Sequence, residues 1–175
     1  MELIYYPNPV LRKRALPLET IDDEVRERVA EMLSIMYRER GIGLAAPQVA
    51  WSVRLFVMNT RGETDRDGEK VFIHPEILRA EGEVLDEEGC LSIPEVRGKV
   101  LRSEKVLVRA LDPEGNAFQD ELTDLEARVF QHEYDHLDGI LFLSMLSASD
   151  RLLVGKELKK LEKEYKKTQG VKVGR

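Results

Sequence analysis

Two histidines four residues apart, in His132-Glu133-Tyr134-Asp135-His136, are the sharpest chemical feature of the chain. At that spacing a helix presents both imidazoles on one face, so they can reach the same cation. Glu133 follows His132 by one residue and can lean toward a water at that ion without ligating it. This is the HExxH arrangement, in which the glutamate handles the water's proton. The bland alternative is a pair of histidines on a polar surface helix. With only three histidines in 175 residues, that coincidence is a poor explanation.

Two imidazoles leave such a centre incomplete, because a catalytic site of the zinc type takes three protein ligands and keeps one position open. Candidates for the third are Cys90, Asp135, Glu87, Glu88 and Asp150. Asp135 points about 100° round the helix from His136 and suits accepting a hydrogen bond from an imidazole N–H instead. Cys90 is the sole cysteine, and thiolate is the strongest ligand here for a borderline-soft ion. A lone cysteine is commonly a small buried hydrophobe, and it is the histidine pair that tips the balance. Its context, Glu87-Glu88-Gly89-Cys90-Leu91-Ser92-Ile93-Pro94, reads as a strand end or turn.

A third segment is Gly41-Ile42-Gly43-Leu44-Ala45-Ala46-Pro47-Gln48. Its small residues allow close approach of a backbone or ligand, and no lysine follows to make it a phosphate loop. Gln48 adds an uncharged amide donor of the kind that stabilises a developing oxyanion. Taken alone, the segment is better read as a helix-ending loop without chemistry.

Together these segments resemble the peptide deformylase family. Its motifs Gly-x-Gly-x-Ala-Ala-x-Gln, Glu-Gly-Cys-x-Ser and His-Glu-x-x-His occur here as Gly41–Gln48, Glu88–Ser92 and His132–His136, in the family's order. The opening Tyr6-Pro7-Asn8-Pro9-Val10-Leu11-Arg12 also looks like the family's start. The resemblance implies a metal-dependent hydrolase of protein biosynthesis that removes the formyl group from N-formylmethionyl nascent polypeptides and releases formate. It implies Cys90, His132 and His136 as metal ligands and Glu133 as general acid/base. Gln48 and the backbone N–H of Leu91 would form the oxyanion hole, and Ile42, Gly43 and Gly89 would bind substrate. The implied cofactor is one Fe²⁺, with Zn²⁺ or Ni²⁺ able to substitute. The implied fold is α+β, antiparallel sheets packed around a central helix bearing HExxH.

The periodicity of the chain supplies elements to position these groups. Residues 1–19 carry Pro7, Pro9 and Pro17 and read as an extended arm. Val25, Val29, Met32, Leu33 and Met36 form one stripe of a helix over Ile21–Glu39, with Gly41 placed to end it. Val53–Asn59 reads as a buried strand, Val71–Ile73 as another before Pro75 interrupts, and Lys105–Leu111 as a third ending at the turn Asp112–Asn116. Thr123-Asp124-Leu125-Glu126 has the form of a capping box. Leu125, Val129 and Phe130 would then give the apolar face of the histidine helix, with Gly139 as its stop. A further helix is expected after Ser149 on the stripe Val154, Leu158, Leu161 and Tyr165. Helix, strands, then helices is an α+β order. His74, beside Pro75 in an apolar stretch, reads as structural.

Composition bounds the remainder. The length suits one core, divided as a catalytic metalloenzyme domain over 1–150 and a basic amphipathic helix and tail over 151–175. The formal charge of −6 conceals eight basic and three acidic residues after Gly155, which leaves −11 for residues 1–155. An acidic body argues against direct DNA binding, while the tail could touch a phosphate-rich surface. The family resemblance implies the ribosome as that surface, and the alternative is a solvated helix face with i,i+4 pairing. A single cysteine, the lack of a long apolar run and an opening without a basic leader lead us to expect a cytoplasmic protein with no membrane segment. Two rivals stand beside the enzyme reading. One is a metallopeptidase with Asp150 or Glu157 as third ligand, and the other is a closed structural metal site in a binding module.

Overall fold

The computed structural model describes residues 1–172. Three helices and seven strands follow in order: α1 Asp23–Arg38, β1 Gly43–Ala45, β2 Leu55–Met58, β3 Lys70–Glu81, β4 Val84–Cys90, β5 Ile93–Arg102, β6 Lys105–Leu111, β7 Ala117–Thr123, α2 Asp124–Leu137 and α3 Ala148–Lys172. Five strands make one antiparallel sheet in the order β1-β2-β3-β6-β7, and β4 pairs with β5 in a separate hairpin. The architecture is α+β, with the HExxH helix α2 between the two sheets. Among the described residues no helix is long and apolar enough to cross a membrane.

Apolar periodicity explains the layers. In α1, Val25, Val29, Met32 and Met36 are buried against Leu44, Leu55, Val57 and Ile73. Asp22 begins the helix by accepting from the Val25 N–H at 3.1 Å. Its end differs from expectation: the left-handed residue is Arg40, at φ +59°, rather than Gly41. The Gly41 N–H then reaches back to Met36 O at 2.8 Å. Position 41 instead packs closely on Leu91, where a β-carbon would lie 2.5 Å from Leu91 Cδ1 and displace that side chain.

Phe130 on α2 meets Phe56 and Phe72 of the large sheet edge-on, with ring centroids 5.1 and 5.0 Å away. This cluster fixes the depth at which α2 crosses the sheet. Leu125, expected on the apolar face, is instead exposed, and Ala127, Val129 and Phe130 carry the packing. The capping box does not form either, because Thr123 makes no side-chain cap bond. Thr123 is still paired with Lys105 in the β6–β7 ladder, Asp124 turns at φ +52°, and the Glu126 carboxylate is taken by Lys70 at 3.1 Å.

Pro75 does not interrupt its strand. The β3 ladder steps over it with a register shift between Ile73 and Glu76, and His74 takes φ +50° at the irregularity. A bulge of this kind removes proline's missing donor from the ladder and lets the strand continue. The N-terminal arm is pinned by Ala15 N–H to Leu137 O at 2.8 Å and contains a 3-10 turn over Pro9–Arg12. On the opposite flank α3 buries Val154, with Leu158 and Leu161 packed on the cluster of Ile93, Val96 and Val100.

Candidate active site

Helix α2 places His132 and His136 one turn apart, with ring centroids separated by 5.0 Å at 80°. The β4–β5 hairpin supplies the third group. Its ladder slips between Gly89 and Cys90, so that Cys90 pairs with Ile93 across a two-residue turn. Ligand atoms of Cys90, His132 and His136 all lie within 4.8 Å of one another. Cys90 Sγ is 3.3 Å from His136 Nε2. One sulfur and two imidazole nitrogens converging from two elements suit a first-row divalent ion.

Glu88 has a different task from the ligand role considered for it. Its Oε2 lies 3.0 Å from His132 Nδ1, which orients the ring and leaves Nε2 for a metal. The same carboxylate accepts from Arg102 Nε at 2.8 Å, from Arg102 Nη2 at 3.0 Å and from Arg128 Nη1 at 2.8 Å. Burial alone would raise Glu88, but hydrogen bonds and charge from His132 and Arg102 outweigh it and hold the carboxyl down at about 2. Asp135, expected on an imidazole, instead pairs with Arg102 Nη1 at 2.5 Å. Asp150, at the start of α3, accepts from Ser147 Oγ at 2.8 Å, and Glu87 faces Arg97 at 3.5 Å. Neither belongs to the converging group.

Sequence reasoning missed Arg102 and Arg128. A signal for Arg128 was present, since 128, 132 and 136 share a helix face and a buried arginine there needs a carboxylate. Arg102 could be found only from the alternating burial of β5, whose inward register includes Val96, Gly98, Val100 and Arg102.

Glu133 projects beside the histidines and is buried, and its Oε2 has no protein partner. Burial, reinforced by the Glu88 charge and opposed by His132, lifts its carboxyl to about 7. A carboxyl in that range can take and return a proton near neutrality. The edge strand β1 runs alongside: a β-carbon on Gly43 would fall 2.9 Å from Glu133 Cδ, so only glycine lets strand and carboxylate approach. Gln48 is 1% exposed. Its Oε1 accepts from Ala45 N–H at 2.8 Å, which points Nε2 toward Ser92 Oγ at 3.1 Å and Cys90 Sγ at 3.5 Å.

These groups open into a cleft of about 670 Å³. Ile42, Gly43, Gly89 and Leu91 line it together with Cys90, His132 and Glu133. A buried three-donor cluster, a carboxyl free to move a proton and an amide aimed at the centre can together hydrolyse an amide presented in the cleft.

Comparison with known proteins gives a concordant picture. The family model described as "Polypeptide deformylase" matches residues 1–152. A peptide deformylase of Acidobacterium capsulatum is 44% identical over 161 residues, 92% of this chain and 95% of that protein. Among solved structures, peptide deformylase from Plasmodium falciparum superposes with a TM-score of 0.93 at 37% identity, covering 95% of this chain and 98% of that one. Peptide deformylase 1B of Arabidopsis thaliana gives 0.92 at 38%, covering 97% and 94%.

Proposed function

The chain belongs to the polypeptide deformylase family, and on that premise we propose that it hydrolyses the formyl amide of N-formylmethionyl polypeptides in a metal-dependent reaction. The observation that carries this is the convergence of Cys90, His132 and His136 within 4.8 Å, beside a buried carboxylate and an amide donor. Cys90, His132 and His136 would hold the ion. One thiolate and two imidazoles accept Fe²⁺, Zn²⁺ and Ni²⁺ alike; we assign Fe²⁺ on the family resemblance, with Zn²⁺ or Ni²⁺ as substitutes. When bound, the ion supplies Lewis acidity at the reacting carbonyl and makes water a better nucleophile at neutral pH.

The chain's own residues do the rest. Glu133 takes the proton from the attacking water and returns it to the departing methionine amine. Gln48 Nε2 and the Leu91 N–H stabilise the developing oxyanion, and one such donor typically contributes about 3 kcal/mol. Ile42, Gly43 and Gly89 line the wall against which the peptide lies. Because β1 is the edge of its sheet, an extended substrate can be laid along it.

The proposal extends to context. Residues 1–150 act as the catalytic unit in the cytoplasm, and the lysine-rich outer face of α3 contacts the ribosome through its phosphates. That contact should be salt-sensitive, and ribosome pelleting with and without residues 154–175 reads it. The catalytic reading is tested by formate release from formyl-Met-Ala-Ser, using protein purified without oxygen and assayed with and without metal. Metal-dependent release is expected; cleavage of internal peptide bonds without formate would replace it with the peptidase reading.

A further inference from the structure

The charged side chains around the mouth of the cleft are nearly all matched. Glu87 faces Arg97 at 3.5 Å, Glu95 faces Lys160 of α3 at 3.3 Å, and Glu39 faces Arg38 at 3.0 Å. Deeper in, Glu88 engages Arg128 at 2.8 Å. Arg40 lines the same cleft and is exposed. Among the described residues it has no carboxylate within 4.0 Å. Apart from Glu133, it is the unmatched charge of the cleft wall.

Its place along that wall is fixed. Arg40 sits at φ +59°, where glycine would be free of strain, and its N–H donates to Tyr37 O at 2.9 Å. Gly41 follows with a bond to Met36 O at 2.8 Å. The backbone turn that carries the guanidinium is therefore tied to the end of α1. From Arg40 to Gly43, whose Cα abuts Glu133, is three residues, at most about 10 Å of extended chain. Residues 40–42 lie outside β1, so reach sets the register: an extended peptide with its formyl carbon beside Glu133 advances about 3.3 Å per residue and covers this distance within about three residues. The second or third residue of the peptide then lies opposite Arg40.

We propose that Arg40 is a specificity-determining residue whose guanidinium pairs with an acidic side chain at the second or third position of the formyl-peptide. This rests on the deformylase reading above and adds a substrate class to it: N-formylmethionyl chains with acidic early residues are processed in preference to basic ones.

The test uses the full metal-loaded chain and C-terminally amidated formyl-Met-Ala-Ser, formyl-Met-Ala-Glu and formyl-Met-Ala-Lys, with a second set carrying Glu or Lys at position two. In one of the sets kcat/KM should favour Glu over Lys by about three- to five-fold at low salt, the size of one exposed ion pair. The ratio should shrink toward one near 1 M salt, where the screening length is about 3 Å. Arg40→Gln should abolish the preference and Arg40→Glu should invert it, while Arg97→Gln should leave it in place. Because each ratio compares two peptides on one enzyme, a general loss of activity in a variant cancels. Equal rates for Glu and Lys peptides in the wild type at both positions, or a ratio that follows Arg97 instead, would overturn the proposal. Failure to release formate from the uncharged formyl-Met-Ala-Ser would instead sink the deformylase reading, and this inference with it.

Discussion

Glu88 Oε2 and His132 Nδ1 lie 3.0 Å apart, and the same carboxylate carries two buried arginines, Arg102 and Arg128. The β4–β5 hairpin and α2 are thus joined by one acidic group directly behind the metal-binding cluster. Arg128 completes the link by donating to Val100 O at 3.0 Å and to Val84 O at 2.8 Å, both on the hairpin.

Replacing that carboxylate should be felt twice. Glu88→Gln leaves Arg128 buried without a counter-charge and Arg102 with Asp135 alone, and breaking such a buried pair typically costs about 3–5 kcal/mol. It also removes the acceptor that orients His132, an outer contact whose loss usually weakens metal binding by about 10–100-fold. Urea unfolding of the metal-loaded protein reads the first effect, and chelator competition reads the second. Unchanged metal affinity would remove Glu88 from the support of His132.

Gly43 tests the approach of β1 to the catalytic carboxylate. A methyl group at this position would fall inside the envelope of Glu133, with Leu44 and Ala45 holding the strand against β2. Gly43→Ala should therefore fold and keep its metal while kcat falls about 100-fold, the scale of a displacement of about 1 Å in a catalytic group. Elemental analysis alongside steady-state formate release separates this from loss of the ion. Full activity would show that Glu133 does not act from the position seen.

Removing the proton carrier itself separates chemistry from assembly. Glu133→Gln keeps the shape of the side chain and all three candidate ligands, so metal content should match the wild type. Turnover should fall by about 10²–10⁴, the usual contribution of a positioned acid–base group. Cys90→Ser should do the reverse and weaken or exchange the metal first. Wild-type turnover in the Glu133 variant, or wild-type metal retention in the Cys90 variant, would reassign the corresponding residue.

The parts of this site that were legible in the sequence are those governed by local periodicity. His132 and His136 share a face because of helix geometry, and Lys105–Leu111 with its turn has the limits expected of it. What escaped was set by partners distant in the chain. Glu126 has the spacing of a capping residue, but Lys70 on β3 claims it, and Thr123 remains in a strand. Pro75 looks like a strand end, yet a bulge at His74 carries β3 past it. Helix geometry alone points Asp135 toward an imidazole, whereas Arg102 arrives from 33 residues away. In each case a long-range ion pair or ladder overrides a correct local rule.

His74 gives a pH-dependent prediction away from the metal cluster. Its Nε2 accepts from the Leu18 N–H at 2.7 Å, which ties the N-terminal arm to β3. Burial, aided by the charge of Arg54, holds its imidazole below the ordinary 6.5. The unfolded chain therefore takes up a proton before the folded one does, and stability falls as pH drops below about 6.5 toward the lower folded value. Protonation also converts the acceptor nitrogen into a donor and breaks the bond to Leu18. His74→Asn, which tolerates the φ of +50° at this position, lacks the titrating group. It should be less stable than the wild type by about 1 kcal/mol at pH 8, for one lost hydrogen bond, and that gap should narrow at pH 5. Urea denaturation at the two pH values measures it, and a gap of the same size at both would show that His74 does not titrate in this window.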